Sequence, residues 1–393
     1  MRFIHISDLH IGKRLCETDL SADIEYALFD EILGRIYREA AEEKQPDALV
    51  IAGDIYDKSV PTAEAEETFG RFLTKAAELG MKIYVVSGNH DSARRLASNS
   101  GLLSRLGIFI CAPFSAEEPV RVERLGGIDI VLMPFVSLSD VRGAFPDEDI
   151  PDITAAAAAV LSRAGISEER PRVLVAHQAV GGAGGIVGTA ECIDASVFSG
   201  FAYTFLGHIH IPADCAENVR YCGSPVCFSG REAKAPQKYC DIVDISEDGT
   251  AAVQHREIIP LRQFRTMEGT FEQLMSDECP SSSDYCYITV SGIDGIEGVA
   301  AQLRSKFPYM LSLQYRNEST AGVISENDGE ERDFRMDFSD FYRTVTHTDI
   351  DESLLRSAEY IFRLTESAFG SGEIPDIGGI DGLPCTVGGG DGQ

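Results

Sequence analysis

Residues 48–57 read ALVIAGDIYD, and this stretch decides the fold. Five apolar residues are followed directly by a glycine, by Asp54 and, three positions later, by Asp57. A short and continuously apolar run is typical of a strand buried on both faces, as in a parallel sheet covered by helices. The carboxyl ends of such strands form the ligand crevice of an open α/β sheet. The stretch therefore predicts a buried strand that delivers acidic side chains to a site.

The same pattern recurs at the ends of other predicted strands. The motifs after them are Asp8-Leu9-His10, Gly88-Asn89-His90-Asp91, His177 and Gly207-His208-Ile209-His210. Three of the motifs are weak by themselves, because D-x-H is common by chance, GD is often only a turn, and a lone histidine is more often structural. GNHD and GHIH are more specific, because buried polar groups are costly without partners. Together the motifs place five of the eight histidines at strand ends, which predicts one shared site.

The chain has 393 residues, enough for two or three domains. Residues 1–260 alternate apolar strands with helices predicted at 21–43, with Ser21 as N-cap, and at 63–79. Residues 261–334 look like a small α+β module, residues 335–369 contain amphipathic helices, and residues 370–393, rich in glycine and aspartate, are expected to be a disordered tail.

Charge and composition limit the function classes. A net charge of −29 argues against a simple DNA-binding protein, because phosphate contacts need lysine and arginine. The N-terminal MRFIHISDLH has no apolar signal core, and no run could cross a bilayer, so we expect a cytoplasmic protein without membrane contact. Ten cysteines without a CxxC pair predict neither a zinc cluster nor a disulfide framework.

The strand-end side chains suit metal ions. Oxygen and nitrogen donors without a thiolate favour manganese, iron or zinc over calcium. Seven donors are too many for one ion and about right for two, if one carboxylate bridges. The candidate ligands are Asp8, His10, Asp54, Asn89, His177, His208 and His210.

In this order, D-x-H, GDxxD, GNHD, a lone histidine and GHxH resemble the calcineurin-like metallophosphoesterases. Four longer segments are similar to the SbcD family of bacterial nuclease subunits. They are AGDIYDKSVP at 52–61, SGNHDSARRL at 87–96, FLGHIH at 205–210 and YCGSPVCFSGREAKAPQKY at 221–239. The resemblance implies an α/β fold in which a β-sandwich (1–260) is flanked by helices, with a capping domain (261–334) and C-terminal partner-binding helices (335–369).

The resemblance also implies a role for each matching residue. Asp54 would bridge two divalent ions, typically Mn²⁺. Asp8, His10 and His210 would complete one metal position, and Asn89, His177 and His208 the other. His90 would contact the scissile phosphate and assist the leaving group, with Asp91 orienting His90.

The family resemblance also implies a protein partner and a reaction on DNA. An SbcC-like coiled-coil ATPase would bind the C-terminal helices, and the complex would act as exonuclease and endonuclease on DNA ends and hairpins in DNA repair, recombination and replication. A homodimer is left open. Lys13, Arg14, Lys58, Arg94 and Arg95 flank the motifs and either contact the DNA backbone or are solvated surface charges.

Two other functions compete with this one. The five motifs also fit a phosphodiesterase for cyclic nucleotides or other small molecules, or a protein phosphatase. A non-catalytic scaffold should have lost ligands, and here none is missing. The module after Pro260 and the SARRL segment favour the nuclease.

Overall fold

The computed structural model describes residues 1–16, 18–165, 170–181, 192–229, 232, 236–293, 295–316 and 355. The chain divides into two compact units, Met1–Glu318 and Ser319–Gln393. The predicted partner-binding helices at 335–369 and the predicted tail at 370–393 lie outside the described residues, Leu355 excepted. The strands and helices whose bounds the structure defines all lie in the first unit.

Nineteen strands are found in the described residues. Short apolar segments and polar hairpins both contribute. They are β1 Arg2–Ile6, β2 Arg14–Leu15, β3 Thr18–Asp19, β4 Ala48–Ala52, β5 Lys82–Val86, β6 Ile108–Ile110, β7 Arg121–Leu125, β8 Ile128–Met133, β9 Arg172–His177, β10 Val180–Gly181, β11 Ile193–Asp194, β12 Tyr203–Gly207, β13 Ala213–Ala216, β14 Val219–Tyr221, β15 Lys238–Ile245, β16 Ala251–Ile258, β17 Phe264–Thr270, β18 Tyr285–Ser291 and β19 Met310–Tyr315.

The helices lie mostly between parallel strands. The first is continuous over α1 Ser21–Glu25, a π-helical segment Tyr26–Ile36 and α2 Tyr37–Glu43. The others are α3 Ala63–Glu78, α4 Ala93–Leu96, α5 Ser100–Leu103, α6 Leu138–Ala144, α7 Ile153–Ser162, α8 Phe271–Met275 and α9 Val299–Lys306, with short 3₁₀ turns at Ser104–Leu106 and Ala195–Phe198.

Two six-stranded sheets form the main body. The first has the order β16-β15-β1-β4-β5-β6, and the second the order β13-β14-β12-β9-β8-β7. In the first sheet β1, β4, β5 and β6 are parallel, and in the second β8, β9, β12 and β14 are parallel. The C-terminal ends of the parallel strands in each sheet therefore lie side by side at the same end of that sheet.

The sheets face each other across an apolar layer. Phe3, Val50 and Tyr84 of the first sheet pack in one cluster with Leu132 and Phe205 of the second. The outer face of the first sheet packs against the helices at 21–43 and 63–78, and that of the second against α6 and α7. The result is a β-sandwich flanked by helices, so the predicted α/β fold class is confirmed.

Residues after Pro260 form a separate sheet of three strands. Strands β17, β18 and β19 are parallel, and α8 and α9 pack on them around a separate apolar cluster that includes Val290 and Phe307. Arg262 donates to Asp23 Oδ2 at 2.7 Å, and Tyr285 Oη donates to the same oxygen at 2.5 Å, which ties this module to the first helix. The domain boundaries proposed from the sequence stay a prediction.

One helix cap was predicted wrongly. The first helix does begin at Ser21, but its N-cap is Leu20, which makes no side-chain capping bond. The main-chain N–H of Ser21 instead donates to Asp19 Oδ1 at 2.8 Å. The carboxylate of Asp19, two residues before Ser21, therefore accepts a hydrogen bond from one N–H group at the start of the helix. The N-cap side chain usually plays this role.

Candidate metal centre

The predicted donors converge where the central strands of both sheets end. Asp8 and His10 follow β1, Asp54 follows β4, and Asn89 follows β5. From the second sheet come the last residue of β9, His177, and the two histidines after β12, His208 and His210. Asp8, His10, Asp54 and His177 are each at most 2% exposed, whereas Asn89 is exposed. The structure therefore brings all seven together in a cleft with a buried floor.

One group of donors contains two histidines facing each other. His10 Nε2 lies 3.1 Å from His210 Nε2. His210 Nε2 is also 3.8 Å from Asp8 Oδ1, and these three residues can place their ligand atoms within one coordination shell. His10 Nδ1 is buried and has no hydrogen-bond partner among the described residues.

The second group is centred on Asn89. Its Oδ1 lies 3.1 Å from His177 Nε2 and 3.1 Å from His208 Nδ1. His177 Nδ1 donates to the carbonyl oxygen of Ala52 at 2.8 Å. In the neutral imidazole that bond places the proton on Nδ1 and leaves the lone pair on Nε2, the atom next to Asn89.

Asp54 lies between the two groups. Its Oδ2 is 3.5 Å from His10 Nε2 and 3.5 Å from His177 Nε2. Its Oδ1 accepts a hydrogen bond from the main-chain N–H of His90 at 2.9 Å. One carboxylate oxygen is thus equidistant from a nitrogen of each donor group, which is the position that a bridging ligand requires.

His90 stands at the open side of the cleft. Its side chain is exposed, and its ring centroid is 4.9 Å from that of His10. His90 Nδ1 donates to the carbonyl oxygen of Asp57 at 3.0 Å, so this hydrogen bond does not engage Nε2. The imidazole of His90 is therefore accessible from solvent.

Asp91 has contacts different from those expected for a residue that orients His90. Its carboxylate accepts hydrogen bonds from the main-chain N–H groups of Ile55, Tyr56 and Gly88, at 3.1, 3.0 and 2.9 Å. Asp91 therefore joins the loops after β4 and β5, and the hydrogen-bond partner of the His90 ring is the Asp57 carbonyl.

Electrostatics favour a neutral imidazole at His10 and at His208. Burial lowers the pKa of His10 to about 3 and that of His208 to about 4. At His177 and His210 burial is outweighed by hydrogen bonds to Asp54 and Glu232 and by attraction to nearby carboxylates, and the pKa values of both are raised. Burial alone would raise the pKa of Asp54, but hydrogen bonding and attraction to His177 hold it below its ordinary value. Burial raises the pKa of Asp8. Neutral imidazoles and an ionised carboxylate are the forms that bind metal ions.

The backbone at the site is unusual. Non-glycine residues with positive φ in the described chain are Asp8, His10, Cys16, Asp54 and His208, and four of the five are candidate ligands. Gly88 allows a close approach, because a Cβ there would lie 2.1 Å from Asp54 Oδ1. Strained backbone clusters at functional sites, where the surrounding structure holds it in place.

The donor set fits divalent metal ions. Ligands bound at about 2.1 Å to one ion are separated by roughly 3.0–3.4 Å, close to the 3.1 Å spacings found in both groups. Histidine nitrogens with carboxylate and amide oxygens suit transition metals such as manganese, iron and zinc. The groups that can converge on an ion include Asp8 with His10 and His210, and Asp8 with Asp54 and His177.

Three residues near the site were not assigned a definite role from the sequence. Asp57 pairs with Lys13 at 2.6 Å and holds His90 through its main chain. Lys13 is thus engaged within the protein. Glu232 lies 3.3 Å from His210 Nδ1, and no local spacing pointed to it because 22 residues separate the two.

The calcineurin-like phosphoesterase family model matches residues 1–212, more than half of the chain, and the chain belongs to this family. It is therefore a phosphoesterase, and this family implies divalent metal ions. The predicted family resemblance is confirmed.

Similarity to individual proteins covers most of the chain. The SbcD subunit of the nuclease SbcCD from Staphylococcus epidermidis is 26% identical over 363 residues, which are 88% of this chain and 94% of that protein. The protein of the same name from Staphylococcus saprophyticus subsp. saprophyticus is 28% identical over 364 residues, 88% and 93% of the two chains. The expected resemblance to the SbcD family is thus confirmed.

The remaining predictions concern location and assembly. Among the residues that the structure describes, every helix is too short or too polar to cross a bilayer. The cytoplasmic location and the homodimer stay predictions.

Proposed function

We propose that the chain is the nuclease subunit of a DNA-processing complex and hydrolyses phosphodiester bonds with the help of two divalent metal ions. The family supplies the phosphoesterase chemistry, and the relatives named as SbcCD nuclease subunits supply the substrate class. The observation that carries the two-metal proposal is Asp54 Oδ2, 3.5 Å from a nitrogen of each donor group.

Each metal position would use one donor group together with Asp54. Asp8, His10 and His210 would complete one position, and Asn89, His177 and His208 the other. We propose Mn²⁺ as the ion, because mixed imidazole and oxygen donors without thiolate suit it. When bound, two such ions supply a nucleophile near neutral pH and offset the charge of the phosphate oxygens.

His90 is proposed to act on the substrate itself. Its Nδ1–H is held by the Asp57 carbonyl at 3.0 Å, so Nε2 is the atom that can reach a phosphate at the open side of the cleft. A protonated imidazole there stabilises negative charge on the phosphate and donates its Nε2 proton to the departing oxygen. Asp91 contributes indirectly by holding the loops after β4 and β5 together.

DNA binding needs positive charge, and this chain has a net charge of −29. Lys58 and Arg94 are exposed, whereas Lys13 is paired with Asp57 and Arg95 lies 3.6 Å from Glu66. Two of the cations that flank the motifs in the described part of the chain are therefore paired with carboxylates. We propose that most DNA affinity comes from an SbcC-like coiled-coil ATPase bound through residues 335–369.

The complex is proposed to cut DNA ends as an exonuclease and hairpins as an endonuclease, in DNA repair, recombination and replication. The competing function is hydrolysis of cyclic nucleotides or other small phosphodiesters. The acidic net charge favours the small substrate, because such a molecule needs no extended basic surface.

A nuclease assay separates the two functions. Linear duplex and hairpin DNA are incubated with Mn²⁺, with and without the ATPase, and compared with cyclic nucleotides and a phosphopeptide. We expect DNA cleavage that the ATPase stimulates and that Asp54→Asn abolishes. Efficient hydrolysis of cyclic nucleotides, with intact DNA under both conditions, would refute the nuclease.

A further inference from the structure

Glu232 is a buried carboxylate next to the metal centre but outside the seven donors. Its side chain is only 6% exposed, and its Oε1 lies 3.3 Å from His210 Nδ1. Ser229 Oγ donates to the same oxygen at 2.9 Å. The carboxylate therefore faces the side of the imidazole that points away from the cleft.

Lys238 fixes Glu232 from behind. Its side chain is 4% exposed, and its Nζ lies 2.5 Å from Glu232 Oε2. The same ammonium donates to the main-chain oxygen of His210 at 3.0 Å and to Ser224 Oγ at 2.9 Å. Both the ring and the main chain of His210 are thus held by one buried ion pair.

The consequence for His210 concerns its tautomer. An ionised carboxylate only accepts hydrogen bonds, so Nδ1 of His210 must carry the proton. The lone pair then lies on Nε2, the atom 3.1 Å from His10 Nε2 and 3.8 Å from Asp8 Oδ1. Carboxylate–histidine pairs of this kind orient metal ligands in proteins.

We propose that Glu232, held by Lys238, is a positioning residue that fixes the tautomer and orientation of His210. It thereby sets the affinity of the metal position that Asp8, His10 and His210 would form, and leaves the other position unaffected. This inference rests on the proposed two-metal function.

The variant Glu232→Gln tests the tautomer directly. Glutamine offers one oxygen and one NH₂ group, and the oxygen is expected to stay on the Lys238 ammonium. The NH₂ group would then donate to His210 Nδ1 and favour the tautomer that cannot ligate through Nε2. We expect Mn²⁺ affinity at one of the two positions to fall about 10–100-fold, as is typical when such a partner is lost.

A double variant supplies the rescue. In E232Q/K238M the ammonium is gone, so the glutamine oxygen can turn to His210 Nδ1–H, and we expect Mn²⁺ affinity to recover at least tenfold over E232Q. The matched control is Asp129→Asn. Asp129 is equally buried and is paired with Arg170 at 3.2 Å, but it lies near the start of β8, at the opposite end of the sheet from the metal centre.

Isothermal calorimetry with Mn²⁺ alone measures both affinities, and electron paramagnetic resonance distinguishes a spin-coupled pair of ions from a single one. Wild-type affinities in E232Q, or no recovery in the double variant, would overturn the positioning role. A wild-type chain that binds fewer than two ions would instead overturn the two-metal function.

Folding of the variants is checked by thermal melting. The E232Q variant leaves the buried Lys238 ammonium without an ionised partner among the described residues. If E232Q does not fold, Mn²⁺ affinity is compared between E232Q/K238M and E232A/K238M, in which Lys238 is replaced. The proposal then requires the glutamine variant to bind Mn²⁺ at least tenfold more tightly than the alanine variant, and equal affinities would overturn it.

Discussion

A methyl group at Gly88 tests the bridging role of Asp54 without replacing any candidate ligand. A Cβ at Gly88 would lie 2.1 Å from Asp54 Oδ1 and 2.4 Å from its main-chain nitrogen. An ordinary contact needs about 3.4 Å, so the carboxylate must retreat by about 1.3 Å. Its Oδ2, now 3.5 Å from His10 and His177 nitrogens, would then leave the midpoint of the two donor groups.

A misplacement of about 1 Å in a catalytic site can cost about 100-fold in rate, or about 2.7 kcal/mol of barrier. We therefore expect Gly88→Ala to reduce turnover of a chromogenic phosphodiester about 100-fold and to weaken Mn²⁺ binding. Overpacking should also cost about 1–3 kcal/mol of unfolding free energy, measured by denaturant titration.

The matched control for this variant is Gly70→Ala. A Cβ at Gly70, inside α3, would have no atom within 4 Å apart from its chain neighbours and the nearby backbone of its own helix, and alanine favours a helix over glycine by roughly 0.5–1 kcal/mol. This variant should keep full activity and be slightly more stable. A cooperatively folded Gly88→Ala protein with normal turnover and normal metal content would refute the bridging geometry.

Four further predictions concern metal, substrate and partner. Asp54→Asn should weaken the binding of both ions at once. The asparagine oxygen must accept the hydrogen bond from the His90 N–H, so its NH₂ group takes the place of the bridging oxygen. Metal analysis that finds full occupancy of both positions would contradict this. His90→Ala should keep both ions and lose about 10²–10⁴-fold in turnover; loss of metal as well would make His90 a ligand. Burial alone would lower the pKa of His177, but the carboxylates of Asp54 and Asp8 raise it to about 9 in the metal-free chain. Because a ligating imidazole must be neutral, Mn²⁺ affinity should rise with pH up to about pH 9, with proton release measurable by calorimetry in different buffers; a pH-independent affinity would argue against His177 as a ligand. Deleting residues 335–393 should abolish co-purification with the ATPase and preserve hydrolysis of a small phosphodiester, and normal co-purification would exclude the docking role of this segment.

The buried strands could be predicted from the sequence because their burial leaves a direct signal. β4 has the bounds that the apolar run at 48–52 predicted, since both faces of this strand are covered. The antiparallel strand β16 was not predicted, because seven of its eight residues are exposed or only partly buried and its sequence, AAVQHREI, does not alternate between polar and apolar residues. Strands of that kind carry only a weak periodic signal.

The convergence of the candidate ligands was predictable because parallel strands end at a common edge and carry their motifs there. Contacts between side chains that are brought together only by the tertiary fold were not predictable. Glu232 lies 22 residues after His210, between β14 and β15, and Asp91 follows His90 directly in sequence although its carboxylate accepts hydrogen bonds from other residues. Adjacent positions do not imply contact between side chains.

The strained backbone bears on how the metal centre works. Asp8, His10, Asp54 and His208 keep positive φ values, each of which costs on the order of 1–2 kcal/mol for a residue with a side chain. Hydrogen bonds that do not involve a metal offset this cost. Two of them are donated by the main-chain N–H of His90 to Asp54 Oδ1 and by the main-chain N–H of His208 to Asp8 Oδ1, the second at 3.0 Å. The donors are therefore held close to ligand spacing by the fold itself. Metal ions that enter such a site need to order few side chains, and preorganisation of this kind increases affinity by lowering the entropic cost of binding.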